Sequence, residues 1–452
     1  MWRDRVDDIE TTLLPSLSNE GRAALFDRLR DLGEHPWAAR FVRDRMRAVL
    51  SGARSAAAPD GGHDMTLAVA AAAAALPPRE TARDLERTLG QAPDEAWRRN
   101  TIGGLSRRDL VPLLARLAWH EESFVIAAGL LRKLSDHETE PWANNATSVW
   151  EGLFRVYLGG TSLPFDRRLP LLDEVVGRSQ ANLRRPALGA LREALGIMEV
   201  RDADAEDQGG RILDEEWHPT SQTEDQSARR AALERLDTLC DDGDDDLARD
   251  AWSILLDAAR SLIKLGLSED VIRRLEQVPR QTDEDVYLLR QCMQEILAWE
   301  KDALSDDQQE RIRAFLASLT GPTWFDRLRR WAGPRAFAEY GQDGDDVIAE
   351  SPAPSATDEL VDQAVSNPAL LTNDVWAWLK SPASTAAANA WPFAERLGRK
   401  DVEGRWLSMV YDHDTLHHNA ALGVSASFEL LRFAGLRCST RAPSFFQGVG
   451  VP

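Results

Sequence analysis

Between Ala248 and Ile263 the apolar residues fall at Ala248, Ala251, Trp252, Leu255, Leu256, Ala259, Leu262 and Ile263, a spacing of three and four that lines one side of an α-helix. The same spacing recurs at Leu110, Leu113, Leu114 and Leu117, and again at Phe124, Ala127, Ala128 and Leu131. A half-buried strand would need alternation with a period of two, and hardly a stretch of the chain reads that way. Stripes of this kind can leave water only by packing helix on helix. The predicted fold is therefore all-α, a HEAT-like or irregular α-α superhelical array of antiparallel helix pairs. Short turns favour antiparallel neighbours, and stacked pairs share a continuous core while leaving faces free for binding.

Helix ends can be read at several places. Ser18 can cap a helix running through Arg30, and His35-Pro36 opens another, because proline in a first turn loses no hydrogen bond. Thr223 with Gln226, Thr282 with Asp285, and Ser305 with Gln308 have capping-box spacing. Gly266 suits a helix stop, and Ser268 suits the cap of the helix that follows. Residues 171–195 read as a helix, a brief break and a second helix, the shape of a HEAT-like unit.

Changes of composition divide the chain. The expected organisation is an N-terminal helical segment at 1–51, a helical array at 65–198, an acidic loop at 199–226, a second array at 227–340 and a C-terminal helical module at 357–438. Residues 52–64, with Pro59 and Gly61-Gly62, read as a linker. The acidic loop and the Gly-, Asp- and Pro-rich stretch 341–356 have no apolar periodicity and read as solvated segments that allow flexing. From about Ser439 helical periodicity is lost, as expected of a tail or of a truncated reading frame.

Charge narrows the function classes. With 43% hydrophobic and 28% charged residues the chain has the composition of a folded soluble protein. Its formal net charge of −20 opposes binding to nucleic-acid phosphates or anionic lipid, which depends on Lys and Arg. The best local exception is Arg327, Arg329, Arg330 and Arg335, interleaved with Trp324 and Trp331. The plainer reading, a solvated helix face over core tryptophans, is preferred. Leu67 to Leu76 is the longest apolar run and is half the roughly twenty residues a bilayer requires. Cys240, Cys292 and Cys438 lie too far apart for a disulfide framework or a zinc knuckle, which fits a reducing cytoplasm.

The stretch from Leu371 to Leu407, LLTNDVWAWLKSPASTAAANAWPFAERLGRKDVEGRWL, resembles helical-repeat (HEAT-like) regions of large bacterial conflict and defence proteins. The resemblance implies an arrayed helical module of the sensing or scaffolding kind.

Familiar chemistry is missing. A Walker-A loop needs a Gly-Lys pair, and none of Lys133, Lys264, Lys301, Lys380 and Lys400 follows a glycine. None has a carboxylate two positions earlier, as a common nuclease core would require. His120-Glu121-Glu122 lacks the second histidine of a zincin, and no GxSxG elbow occurs.

Two constellations stay open. In Asp412-His413-Asp414-Thr415-Leu416-His417-His418, His413 and His417 are four apart and could share a helix face as metal ligands. A polar turn entering the last long helix explains the same residues without a metal. Arg30 with His35, Arg132 with His137, and Arg211 with His218 resemble the Arg-His spacing of helical ribonucleases of the HEPN type, at the frequency chance allows. The acidic runs 241–246 and 343–346 lack the alternation of an EF-hand and read as solvated turns. Trp97, Trp119, Trp150, Trp252, Trp376, Trp391 and Trp406 sit at helix-face spacing and are expected to fill gaps between helices.

The function expected is that of a non-catalytic scaffold or recognition protein in a bacterial defence setting, presenting a helical surface to a protein partner. No cofactor and no membrane contact are expected, and nucleic acid is disfavoured by bulk charge. The alternative is a helical hydrolase or nuclease using histidines, with or without a metal at His413 and His417.

Overall fold

A computed structural model describes residues 12–13, 16–32, 35–50, 62–99, 101–102, 105–196, 213–280, 283–319, 323–332, 354–380, 390–401 and 405–406. Among them helices dominate, as the stripes require. In chain order the first are α1 (Asn19–Arg30), α2 (Pro36–Leu50), α3 (Gly62–Ala75), α4 (Pro78–Leu89), α5 (Asp94–Trp97), α6 (Arg107–Trp119), α7 (Glu121–Asp136) and α8 (Ala146–Gly152). There follow α9 (Phe165–Val176), α10 (Ala181–Leu195), α11 (Gln222–Cys240), α12 (Asp245–Lys264) and α13 (Ser268–Leu275). The rest are α14 (Asp283–Trp299), α15 (Asp306–Ser318), α16 (Trp324–Ala332), α17 (Pro354–Ser366), α18 (Asn373–Leu379) and α19 (Ala390–Lys400). The only strands among the described residues are β1 (Thr101–Ile102) and β2 (Leu105–Ser106), paired antiparallel with Thr101 opposite Ser106.

Cap chemistry accounts for many of these ends. Ser18 accepts from Gly21 N, and Ser305 with Gln308 forms the reciprocal capping box that satisfies two otherwise orphaned amides of α15. At α11 the cap is Ser221, not Thr223: extended at φ −148°, its hydroxyl accepts from Glu224 N, so the helix starts inside the stretch read as an acidic loop. Likewise α3 starts at Gly62, inside the stretch read as a linker, and Ser268 is the first residue of α13. Thr282 lies outside the described residues. At the end of α12, Leu267 N donates to Leu262 O and Gly266 N to Ile263 O, with Gly266 at φ +83°. This Schellman closure needs a left-handed residue, which glycine supplies without a Cβ penalty.

The chain divides into two compact units, Met1–Asp270 and Val271–Pro452. In the first, each helix packs on near neighbours in sequence: α1 on α3, α2 on α4, α4 on α6 and α7, α8 on α7 and α10, α10 on α11 and α12. The run Ala68–Leu76 is buried throughout, so its uniform apolarity belongs to a core helix. Among the described residues no helix is long and apolar enough to cross a membrane. In the second unit α14 packs on α15, and Trp324, Leu328, Val361, Val375, Trp376, Phe393 and Leu397 gather into one cluster drawn from α16 to α19.

Three fully buried arginines tie helices of the first unit together. Arg107 donates to Trp97 O and Leu134 O, Arg168 to Leu163 O, Leu153 O and Arg155 O, and Arg229 to Ala194 O and Gly196 O. Leu134, Leu153 and Ala194 stand at the ends of α7, α8 and α10, where helical carbonyls have no partner within the helix and the dipole favours a cation. Each guanidinium thus joins one helix to the exposed carbonyl end of another.

The large aromatics largely meet expectation. Trp97, Trp119, Trp150, Trp252, Trp376 and Trp406 are buried. Trp391 is not: at 44% exposure it stands on the solvent side of α19, while Phe393, two positions on, takes the core position. The basic stretch 327–335 is described only in part. Trp324 is core, Arg329 lies over the Phe325 ring with burial pulling its pKa down, and Arg327 donates to Gln363. Arg335 lies outside the described residues.

Candidate recognition groove

Three parts of the first unit meet around an open groove of about 870 Å³. Glu121, Glu122 and Val125 come from the first turns of α7, Arg167, Pro170, Leu171 and Glu174 from α9, and Asp214 from the irregular segment 213–220, with Arg79 and Leu163 completing the lining. Val125 is 59% exposed, the highest value among the large hydrophobic residues described.

The segment 213–220 is held in place by specific hydrogen bonds. Trp119 Nε1 donates to Asp214 O (3.1 Å), Trp217 N to Thr161 O (3.0 Å) and Gly160 N to Glu216 Oε1 (2.6 Å). Ser162 donates through both its amide and its hydroxyl to Trp119 O. The Trp217 ring stacks on Phe165 and lies 5.2 Å from the Arg168 guanidinium, a cation–π contact. Gly159 is required here, since a Cβ would come within 2.5 Å of Arg168 Nη1 and 2.9 Å of Arg155 O. The part of the lining at Asp214 is thus held in place, which lowers the ordering cost of binding there.

Its walls carry charge of both signs. Arg167 Nη2 stands 3.6 Å from Glu121 Oε1, both largely exposed. Glu121 and Glu122 occupy the first turn of α7, where the helix dipole favours a carboxylate. Glu174 is different. It sits in the last turn of α9, which holds no basic residue, at the end where that dipole disfavours negative charge. Both carboxylate oxygens of its neighbour Asp173 accept from Arg235, Oδ1 from Nε at 2.7 Å and Oδ2 from Nη2 at 2.9 Å.

A second unusual carboxylate lies outside the groove. Glu151 of α8 rests against Gly189 of α10, and burial, followed by the nearby Glu193, pushes its carboxyl up to about 7 against the opposing charge of Arg192. Glu193 itself accepts from Arg155 Nε at 2.6 Å.

The residues singled out from sequence are not brought together at the groove. His413 and His417 lie outside the described residues, and among the described residues no group of three His, Cys, Asp or Glu side chains could hold a metal ion. Arg132 donates to Asp136 while His137 faces Asp94 at 3.9 Å, and Arg30 lies 3.7 Å from Asp27. Arg211 lies outside the described residues. In the acidic run 241–246, Asp242 accepts from Arg184 and Asp244 caps α12, so these carboxylates organise a turn. His120 is buried at the junction of α6 and α7, and only the two glutamates after it reach the groove. Cys240 and Cys292 are buried and are not joined in a disulfide.

No protein-family model matches the chain, and no curated protein matches it in sequence.

Proposed function

We propose that this chain is a non-catalytic recognition or scaffold protein whose HEAT-like or irregular α-α array presents a surface to a protein partner. The observation that carries the reading is the groove, where exposed Val125 and Pro170 share the lining with charged residues and Asp214 is held by Trp119. Exposed apolar groups set among charged ones are found at protein interfaces. Packing of helices on neighbours one to three places along the chain supports the array, because such stacking leaves lateral grooves of this kind. The resemblance at 371–407 supports a setting in a bacterial defence system.

The test is affinity purification from the native host with the wild-type chain and with Val125→Asp, both checked for helicity by circular dichroism. Loss of a partner with the variant supports docking at the groove. Recovery of the same partners in the same amounts sinks it.

A further inference from the structure

We infer that the groove's partner is a cationic polypeptide segment, one that places Arg or Lys side chains on either side of an apolar residue. The inference rests on the reading of the groove as a docking surface and adds the chemistry of what docks.

Charge complementarity carries it. Four carboxylates, Glu121, Glu122, Glu174 and Asp214, line the groove against two guanidiniums, Arg79 and Arg167. One of the two, Arg167, is already offset by Glu121. Glu121 and Glu122 have a structural reason to be acidic, as first-turn residues of α7. Glu174 has none. It is exposed, it sits at the wrong end of α9 for a negative charge, and among the described residues it has no cationic partner, whereas Asp173 beside it has Arg235. A carboxylate that the helix dipole disfavours, and that has no cationic partner among the described residues, is one that a cation arriving from outside would stabilise. Asp214 adds a further negative charge at a position fixed by the hydrogen bond from Trp119 to its carbonyl.

The apolar element decides between a free cation and a peptide. Val125 and Pro170 are exposed and line the same groove as the carboxylates, and burying them repays only a ligand with an apolar group of its own. Nucleic acid is repelled by the same carboxylates. A chain with Arg or Lys flanking Leu or a similar residue matches both the charge and the apolar part of the lining.

Fluorescence anisotropy tests this with three labelled peptides on one pattern: Leu alternating with Arg, with Gln and with Glu. The Leu-Arg peptide is expected to bind, more weakly as salt rises, and the Leu-Glu peptide is not. Glu122→Arg with Glu174→Arg is expected to weaken binding by about tenfold or more. A control of equal net charge, Asp246→Arg with Glu310→Arg, reverses two exposed carboxylates outside the groove and is expected to change it by less than about twofold. Equal loss in groove and control variants would show only attraction to an acidic protein and would overturn the inference, as would absence of Leu-Arg binding. If the Leu-Gln or Leu-Glu peptide binds instead and Val125→Asp abolishes that binding, the cationic inference fails and the docking surface stands. If no peptide's binding responds to any groove substitution, both fail.

Discussion

The carboxylate of Glu151 lies over the bare Cα of Gly189, in space that any other residue at 189 would fill with its Cβ. Glycine inside a helix costs roughly 1 kcal/mol relative to alanine, and here it is the close approach of α8 to α10 that accounts for it. The contact also removes Glu151 from water and places it near Glu193, which raises its pKa from 4.5 to about 7.

Stability is therefore expected to fall as pH rises across the neutral range. The folded chain keeps a proton on Glu151 that the unfolded chain releases near its ordinary value, so the protonated carboxyl contributes fully below about pH 4.5 and is lost as pH passes about 7. The shift corresponds to ~3 kcal/mol. Urea unfolding at pH 5 and pH 8 should show this difference in wild type and a much smaller one in Glu151→Gln. An identical pH dependence in the two proteins would exclude Glu151 as its source.

Gly189→Ala is expected to push the Glu151 carboxylate aside, since that end of the side chain is flexible whereas the α10 backbone is not. Once moved toward water, Glu151 should titrate nearer its ordinary value. The variant should then gain stability at pH 8, by ~1 kcal/mol from helix propensity plus the relief of the buried charge, and gain less at pH 5. Destabilisation at both pH values would show that the carboxylate is locked in place.

Asp84→Asn should loosen the contact between α2 and α4. Asp84 is 3% exposed and accepts from Arg43 Nε at 2.9 Å, Arg47 Nε and Nη2 at 2.7 and 3.1 Å, and Arg87 Nη1 at 2.9 Å. Burial works to raise its pKa, but the hydrogen bonds from Arg47 and Arg43 prevail and hold the carboxyl down at about 2. This contribution is present above the ordinary value near 3.8 and disappears as pH falls through about 2. At neutral pH the substitution is expected to cost about 2 kcal/mol, less than a fully buried pair because all three arginines reach solvent. Denaturant midpoints at pH 7 and pH 3 measure it, and a loss that is larger at pH 3 would contradict the assignment.

Arg229→Ala and Arg229→Lys should both destabilise, the first by about 3 kcal/mol or more. Arg229 joins Asp225 Oδ1 at 3.1 Å to the carbonyls of Ala194 and Gly196, bridging α11 to the end of α10. A lysine has no planar fork to span carboxylate and carbonyls together, so its rescue should be partial at best. Calorimetric melting of the two variants against wild type decides the point, and full rescue by lysine would reduce Arg229 to a simple point charge.

Helix placement was legible wherever local chemistry decides it. The stripe through Trp252 and Leu262 became α12, Gly266 became its left-handed stop, and Ser305 with Gln308 became a capping box, because helical periodicity and caps involve residues within one or two turns. Thr223 misled, since Ser221 offers the same hydroxyl two positions earlier and the extended backbone there selects it. The groove was not legible at all. Arg79, Glu122, Glu174 and Asp214 are scattered over more than a hundred positions, and each alone looks like an ordinary solvated charge.

Sequence by itself therefore determined the class of fold: apolar residues three and four apart must face other helices, and Gly-Lys pairs that do not exist cannot cradle a phosphate. Only tertiary structure decided which charges share a surface. Trp119 reaches across to Asp214, Arg168 clamps three carbonyls beneath Trp217, and through them α7, α9 and the segment 213–220 converge. The physical reason is one of range. Helix periodicity acts over a few residues of chain, whereas the field of a groove sums over charges that adjoin in space and have no relation in sequence.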